Sequence, residues 1–394
     1  MAKNTKQIRK LYLSNFLTGL VFWYGIEKLF MASIGINAVG VGVATAFVLA
    51  FNLIFDVPAG VLADKWSRKG TLFISAIALA ACSIILGLST GLGTYLIGYI
   101  FYGIYVVSTS GTYQAIIYDS LHEEGRSEQY SKIAGRAYGL FLIGAGVANV
   151  ASGFIAHHFS YRTAFFITVC SCLINAVIIL TVREPAFHKT EKKERTIRQL
   201  RKVSKAISSD RLLRGLAIVM SALAIVELFK GDFGQLYMFR YVKQPQIIGL
   251  LWAAYAFTWA LGSMIAHRFR TRLNSLVAMT TIPLVLMAFI DNWFSLVLFM
   301  AQAIFSAVLL NQIETRIQEN TPSNMRASIL SVLSAAGRGI SIPASFILGW
   351  LFSQYNALWA LRFVSAIALL IWLYWLWVSR KEPRANMAAT SELV

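Results

Sequence analysis

The strongest constraint on this chain is a succession of apolar runs, each long enough to cross a bilayer. A membrane-spanning helix needs about 20 predominantly apolar residues, because lipid offers exposed backbone groups no hydrogen-bond partner. Read at that length, the 394 residues give predicted helices at 11–34, 37–63, 70–90, 92–118, 131–156, 161–183, 211–233, 246–267, 273–290, 294–317, 326–353 and 356–379. Only 14% of the chain is charged and 57% is hydrophobic, whereas soluble domains average about 25% charged residues. The expected fold is therefore an all-α membrane protein with twelve transmembrane helices in two six-helix bundles. The expected domains are a first bundle over 1–183, a cytoplasmic linker over 184–210 and a second bundle over 211–394.

A net charge of +18 is compatible with a nucleic-acid partner by magnitude but not by distribution. Of the 36 Lys and Arg, 29 fall at the ends and links on one side of the predicted helices, and four (Arg162, Arg240, Lys243 and Arg362) on the other. Lys28, Lys230 and Arg338 lie inside helices. The alternation follows the positive-inside rule, so the basicity reports topology: no nucleic acid is expected, and both termini are placed in the cytoplasm. The expected location is the cell (inner or plasma) membrane of a bacterium, as a multi-pass protein, with membrane lipids and a small-molecule substrate as partners and a monomer as the working state.

Cys82, Cys170 and Cys172 sit in apolar runs without disulfide or zinc spacing, and read as core residues. The basic start (Lys3, Lys6, Arg9, Lys10) leads into a run longer than a cleavable signal would carry, so a retained first helix is expected. In the linker, Pro185 is expected to end the sixth helix. Ile197, Leu200, Val203 and Ile207 recur at helical spacing among Arg198, Arg201, Lys202 and Lys205. That pattern fits either a basic amphipathic helix lying on the inner leaflet or a solvated tether.

The tightest cluster of charge between two apolar runs is Gly60-Val-Leu62-Ala63-Asp64-Lys-Trp-Ser67-Arg68-Lys69. Its G-x-L-A-D-x-x-x-R-K spacing resembles the loop between the second and third helices of the major facilitator superfamily of membrane transporters. It departs at Ser67, where the family usually has glycine, and a serine there loses some backbone freedom. The resemblance implies a cytoplasmic gate made by Gly60, Asp64, Arg68 and Lys69, with an acid at the end of the fourth helix, here Asp119. The second-half equivalent, Gly262 to Arg272, keeps Arg268 and Arg270 but has Ala266 in place of the aspartate, so the lock is expected to be one-sided. The halves are weakly alike: Glu27-Lys28-Leu-Phe opens against Glu227-Leu-Phe-Lys230. Small residues recur every fourth position at Gly144, Ala148 and Ser152, and at Gly337, Ser341, Ser345 and Gly349, a spacing that lets helices approach closely. The marks of the drug:proton antiporters are weaker. Tyr99 stands where many exporters have arginine, and Ala148–Gly153 lacks the usual proline.

Ionisable groups within membrane helices cost about 2.5–3.5 kcal/mol each on insertion scales and usually serve function. Glu27, with Trp23 and Tyr24 one turn before it, suits a cation or a proton; the rival reading is a structural pair with Lys28 or Lys230. Glu227 is divided between function and the interface. Asp232 is assigned to the interface and Lys230 to snorkelling. The resemblance implies that Tyr99, Tyr102 and Gln302 line a central cavity, together with Tyr95, Tyr113 and Ser306; the rival reading is ordinary helix packing, since 13% of the chain is aromatic. Arg338, about 18 Å into its helix, and Asp56, about 12 Å into its own, are expected either to pair between bundles or to leave Arg338 for an anionic substrate.

Together these features imply secondary active transport by alternating access. The expected form is proton-coupled efflux of small amphipathic organic molecules, driven by an ion gradient without a bound cofactor. Nutrient uptake, flipping of a lysolipid or glycolipid, and a non-transporting receptor are the alternatives. Catalytic and metal sites are not expected, since no H-E-x-x-H, G-x-S-x-G or G-x-x-x-x-G-K-[ST] pattern occurs. Charge reversal separates the two readings of Arg338. A paired role predicts that Asp56→Arg combined with Arg338→Asp restores transport lost in each single variant; no recovery excludes the pair.

Overall fold

The computed structural model describes residues 2–185, 203, 205–269, 273–322 and 325–379. Residues 196–202 of the expected amphipathic helix, and Arg270 and Arg272 of the second-half loop, lie outside the described residues. Among the described residues every regular element is helical. Ten helical spans are long and apolar enough to cross a membrane, and Leu273–Phe289 is a shorter apolar helix.

The elements follow the predicted runs closely. They are α1 (Ala2–Gly19), α2 (Glu27–Ser33), α3 (Ala38–Lys65), α4 (Arg68–Leu88), α5 (Leu92–Thr109), α6 (Thr112–His122), α7 (Tyr130–His158) and α8 (Tyr161–Thr181). They continue as α9 (Arg211–Leu228), α10 (Gly234–Phe239), α11 (Pro245–Ile265), α12 (Leu273–Phe289), α13 (Phe294–Glu319), α14 (Arg326–Gln354) and α15 (Ala357–Ser379). Polar residues set the boundaries. The Asn37 side chain accepts from the Gly40 amide at 3.0 Å to start α3, and the Ser160 hydroxyl accepts from the Thr163 amide at 3.2 Å to start α8. Arg162 then donates to the Gly87 and Ser89 carbonyls (3.0 Å to Ser89), capping the end of α4.

Three runs predicted as single helices are interrupted. The first breaks after Gly19, turns through a short 3₁₀ segment at Tyr24–Ile26 and resumes as α2. The fourth breaks at Gly111, whose φ of 71° is the left-handed conformation glycine adopts without penalty. The seventh passes through a π-turn at Phe229–Phe233. Such turns widen a helix and concentrate at functional sites, and apolarity alone gives no sign of them.

The described chain divides into two compact units. The first comprises Met1–Lys193, Leu228–Phe257 and Ser341–Ala357; the second comprises Glu194–Glu227, Thr258–Ile340 and Leu358–Val394. Within the first, the small-residue stripes make close helix contacts. A Cβ at Gly144 would sit 2.3 Å from the Phe16 carbonyl oxygen, and one at Gly42 2.4 Å from that of Ser345. At Gly349 it would sit 2.6 Å from the Ala38 oxygen, and at Gly153 2.5 Å from the Pro245 oxygen. The second unit has its own core around Leu216, Leu276, Val308, Ile313 and Trp375.

The glycine contacts lead to a paired test. Gly42→Ala, which forces a methyl against the α14 backbone, lowers the melting temperature of the purified protein. Gly60→Ala leaves it unchanged or raised, because a Cβ there meets nothing within 4 Å and alanine favours the helix by up to about 1 kcal/mol. Equal effects at the two positions contradict the close-approach account.

Candidate functional site

Two polar constellations stand out in the first unit. One surrounds the Asp64–Lys69 link. The Arg68 guanidinium pairs with the Asp119 carboxylate and donates to the Ala115 carbonyl at 3.0 Å, gripping the end of α6. Asp64 is looser, 3.6 Å from Arg68 and 69% exposed at its side chain. Gly60 takes no part in these contacts and has open space around it.

Ser67 departs from the family's glycine for a visible reason. Its backbone is extended, and its hydroxyl accepts from the Gly70 amide at 2.8 Å, which makes it the N-cap of α4. Glu184, which no sequence motif marks, completes this cap. One carboxylate oxygen accepts from the Arg68 amide at 2.8 Å; the other accepts from the Lys69 amide at 2.9 Å and the Ser67 hydroxyl at 2.7 Å. A carboxylate at a helix N-terminus also meets the positive end of the helix dipole. Lys69 in turn donates to the Leu180 carbonyl at 2.7 Å, capping α8. The link thus clasps α4, α6 and α8 together. The signal for Glu184 was its place between Arg183 and Pro185, just past the apolar run.

The second constellation is buried and centred on Lys28, whose side chain is 3% exposed. Its ammonium lies 2.9 Å from Glu27 and 3.6 Å from Asp232. Glu27 also accepts from the Tyr95 hydroxyl at 3.0 Å and the Tyr99 hydroxyl at 2.5 Å. Asp232 accepts from Thr45 of α3 at 3.0 Å. Gln235 of α10 accepts from the Lys28 amide at 3.0 Å and donates to the Tyr24 carbonyl at 2.5 Å. Residues of α2, α3, α5, the π-turn and α10 therefore meet around Lys28 and its two carboxylates. The π-turn brings Asp232 into this cluster, which corrects its assignment to the interface. Lys230 does not snorkel either: it is 1% exposed, its ammonium 5.6 Å from the Tyr255 ring.

Tyr95, Tyr99, Tyr102 and Tyr105 form a ladder on one face of α5, with successive ring centroids 5.0, 5.6 and 5.9 Å apart. The first two are spent on Glu27. Tyr102 accepts from the Tyr24 hydroxyl at 3.2 Å. Trp23 is packed away, stacked on Phe165 with its indole donating to Ser83 at 3.0 Å, so its face is not open to a cation as the sequence had suggested. Tyr113 belongs to a separate buried network with Ser14 and Thr18, each at 2.8 Å. Gln302 is completely buried in the second unit, its amide donating to Ser306 at 2.8 Å on its own helix, and it lines a small internal cavity of about 20 Å³ beside Val226, Thr281 and Leu309. Glu227 falls in the second unit, near the end of α9. Asp56 is half-buried in the first unit, and Arg338, in the second, donates to Ser334 at 3.3 Å.

The comparisons with known proteins agree with this architecture. The family model of the Major Facilitator Superfamily matches residues 11–290. The chain is a member of the major facilitator superfamily. An uncharacterized transporter, BU466, of Buchnera aphidicola subsp. Acyrthosiphon pisum (strain APS) is 25% identical over 154 residues, which cover 39% of this chain and 38% of that protein. Among solved structures, the nucleoside transporter NupG superposes with a TM-score of 0.79 at 14% identity, covering 97% of this chain and 100% of its own. A bacterial homolog of the human lysosomal transporter Spinster gives 0.76 at 14% identity, covering 96% and 98%. A D-xylose-proton symporter gives 0.69 at 16% identity, covering 94% and 97%. At these identities the superpositions establish a shared fold: this is a multi-pass membrane protein with a transporter fold.

The Glu184 cap generates a prediction. Glu184→Ala removes both amide acceptors at the start of α4 and lowers unfolding stability in a detergent titration by about 1 kcal/mol, while Ser67→Gly costs only a few tenths. A Glu184→Ala protein as stable as the parent contradicts the capping role.

Proposed function

We propose that this protein is a secondary active transporter working by alternating access, with proton-coupled efflux of small amphipathic organic molecules as its activity. The observation that carries this reading is the Lys28 cluster. One ammonium between two carboxylates leaves the connected network one negative charge in excess, a vacancy suited to a proton or to the cationic group of a substrate. Lys28 also holds Asp232 in place, so neutralising Asp232 weakens a tie among α2, α3 and the π-turn.

In the proposed topology, twelve spans form two six-helix bundles joined by the linker at 184–210, with both termini cytoplasmic in a bacterial cell membrane. Spans one, four and seven are the interrupted ones. The end carrying Lys28, Asp232 and the Gly42–Ser345 contact then faces outward, and the Arg68–Asp119 clasp faces the cytoplasm. Asp64 and Gly60, exposed and open here, are the parts of the link left to engage in the inward-closed state. Glu27 anchors Lys28 and Asp232 exchanges; together they replace the single coupling acid expected from sequence. The tyrosine ladder supplies aromatic faces for an amphipathic cargo. The same hydroxyls suit a hydroxylated neutral solute, so nutrient uptake is the second reading.

Flux in proteoliposomes with an imposed pH gradient, over cationic, anionic, neutral and lipid substrates, tests the proposal. The parent protein accumulates an amphipathic cation against its gradient when the gradient is imposed. Glu27→Gln and Asp232→Asn each abolish uphill flux and its pH dependence. Uphill transport with an intact pH response in both variants contradicts the coupling role, and gradient-driven import of a neutral solute favours uptake over efflux.

A further inference from the structure

The second unit contains an apolar groove of about 510 Å³ between α9, α14 and α15. Its walls include Ile218 and Ile225 of α9, Leu333 and Ile340 of α14, and Ile371 of α15. The groove has a direction. At one end lies the exposed Arg214, whose guanidinium reaches the Ser208 carbonyl at 2.9 Å. From Arg214 to Ile225 the α9 axis rises about 16 Å, at about 1.5 Å per residue. That length is close to the depth of one leaflet, half of a hydrocarbon core about 30 Å thick. At the same end Arg211 lies with its guanidinium 4.9 Å from the Trp377 ring. The nearby acid, Asp210, caps α9, accepting from the Leu213 amide at 2.9 Å, and among the described residues forms no ion pair with either arginine.

We infer that this groove is a binding site for one anionic phospholipid of the inner leaflet, with an acyl chain along α9 and the headgroup phosphate on Arg214. The three features that fix the occupant are a one-leaflet length, an almost wholly apolar wall and a cationic mouth where headgroups lie. Arginine suits phosphate through its planar array of donors, and cytoplasmic-facing basic residues attract anionic lipid. The chain fills the space beside the contact of α9 with α14, where a Cβ on Gly337 would meet Ala224 at 3.2 Å. The lipid is thus a component of the second unit's packing. The inference rests on the proposed topology, which puts the Arg214 end in the inner leaflet, and is independent of cargo and of transport direction.

The test is native mass spectrometry of the full-length protein, stripped of lipid in detergent. The protein is then offered equal amounts of phosphatidylglycerol and phosphatidylcholine with identical chains. The parent retains phosphatidylglycerol several-fold over phosphatidylcholine. Arg214→Gln brings the ratio near one, Ala336→Trp, which crowds the α14 wall, lowers retention of both, and Lys132→Gln, an exposed cation of the first unit, changes neither. Equal retention of the two lipids by the parent overturns the inference. So does an unchanged ratio in Arg214→Gln, an exposed substitution that leaves the packing intact, or a ratio lost equally in Lys132→Gln.

Discussion

A lysine buried to 3% exposure within a membrane protein is the constraint on which the rest of this structure turns. Its charge is tolerable only where opposite charge and hydrogen-bond acceptors surround it, and removing one partner of a buried pair typically costs about 3–5 kcal/mol. Glu27 and Asp232 provide that surrounding, but unequally. Glu27 is adjacent in sequence, close in space and held by two tyrosines. Asp232 comes from a distant segment, stands farther from the ammonium and relies on Thr45 for support. The weaker arm is also the one that joins distant parts of the chain.

The features around this cluster make sense as its supports. The break after Gly19 lets Glu27 and Lys28 start a new short helix rather than continue the old one. The π-turn at Phe229–Phe233 carries both Lys230 and Asp232. The tyrosine ladder of α5 supplies hydroxyls where a plain apolar face would leave Glu27 under-bonded. Glycine contacts between α3 and α14 draw the same end of the first unit together. At the opposite end, Arg68, Lys69 and Glu184 tie α4, α6 and α8 without help from close backbone approach. One end is held by shape and buried charge, the other by hydrogen-bonded caps.

Much of the fold was legible in the sequence, because bilayer thickness sets helix length and charge marks the links. Helix limits such as 161–183 against Tyr161–Thr181 differ by a residue or two. The family followed from the Gly60–Lys69 spacing together with the six-plus-six run of apolar segments, and the Arg68–Asp119 partnership from that resemblance. What hydropathy could not convey was irregular backbone: the breaks at Gly19 and Gly111 and the π-turn all fall inside runs that read as uninterrupted. Asp232 was misplaced for that reason, since a regular helix gives no cause to bring it to Lys28. Ser67 looked like a loss of backbone freedom because its cap depends on Glu184, more than a hundred residues away. Trp23 and Gln302 looked available because burial against Phe165 or within a bundle is decided by tertiary packing, not by periodicity.

The central claim is that the Lys28–Asp232 tie holds the α2 and α10 ends of the first unit together until Asp232 is neutralised. Double electron–electron resonance tests it most directly, with spin labels on Ala32→Cys and Lys243→Cys, both exposed positions, and the native cysteines replaced. The account predicts a single short distance in the parent protein at neutral pH and a second, longer population in Asp232→Asn. Identical distance distributions in the two proteins would contradict it.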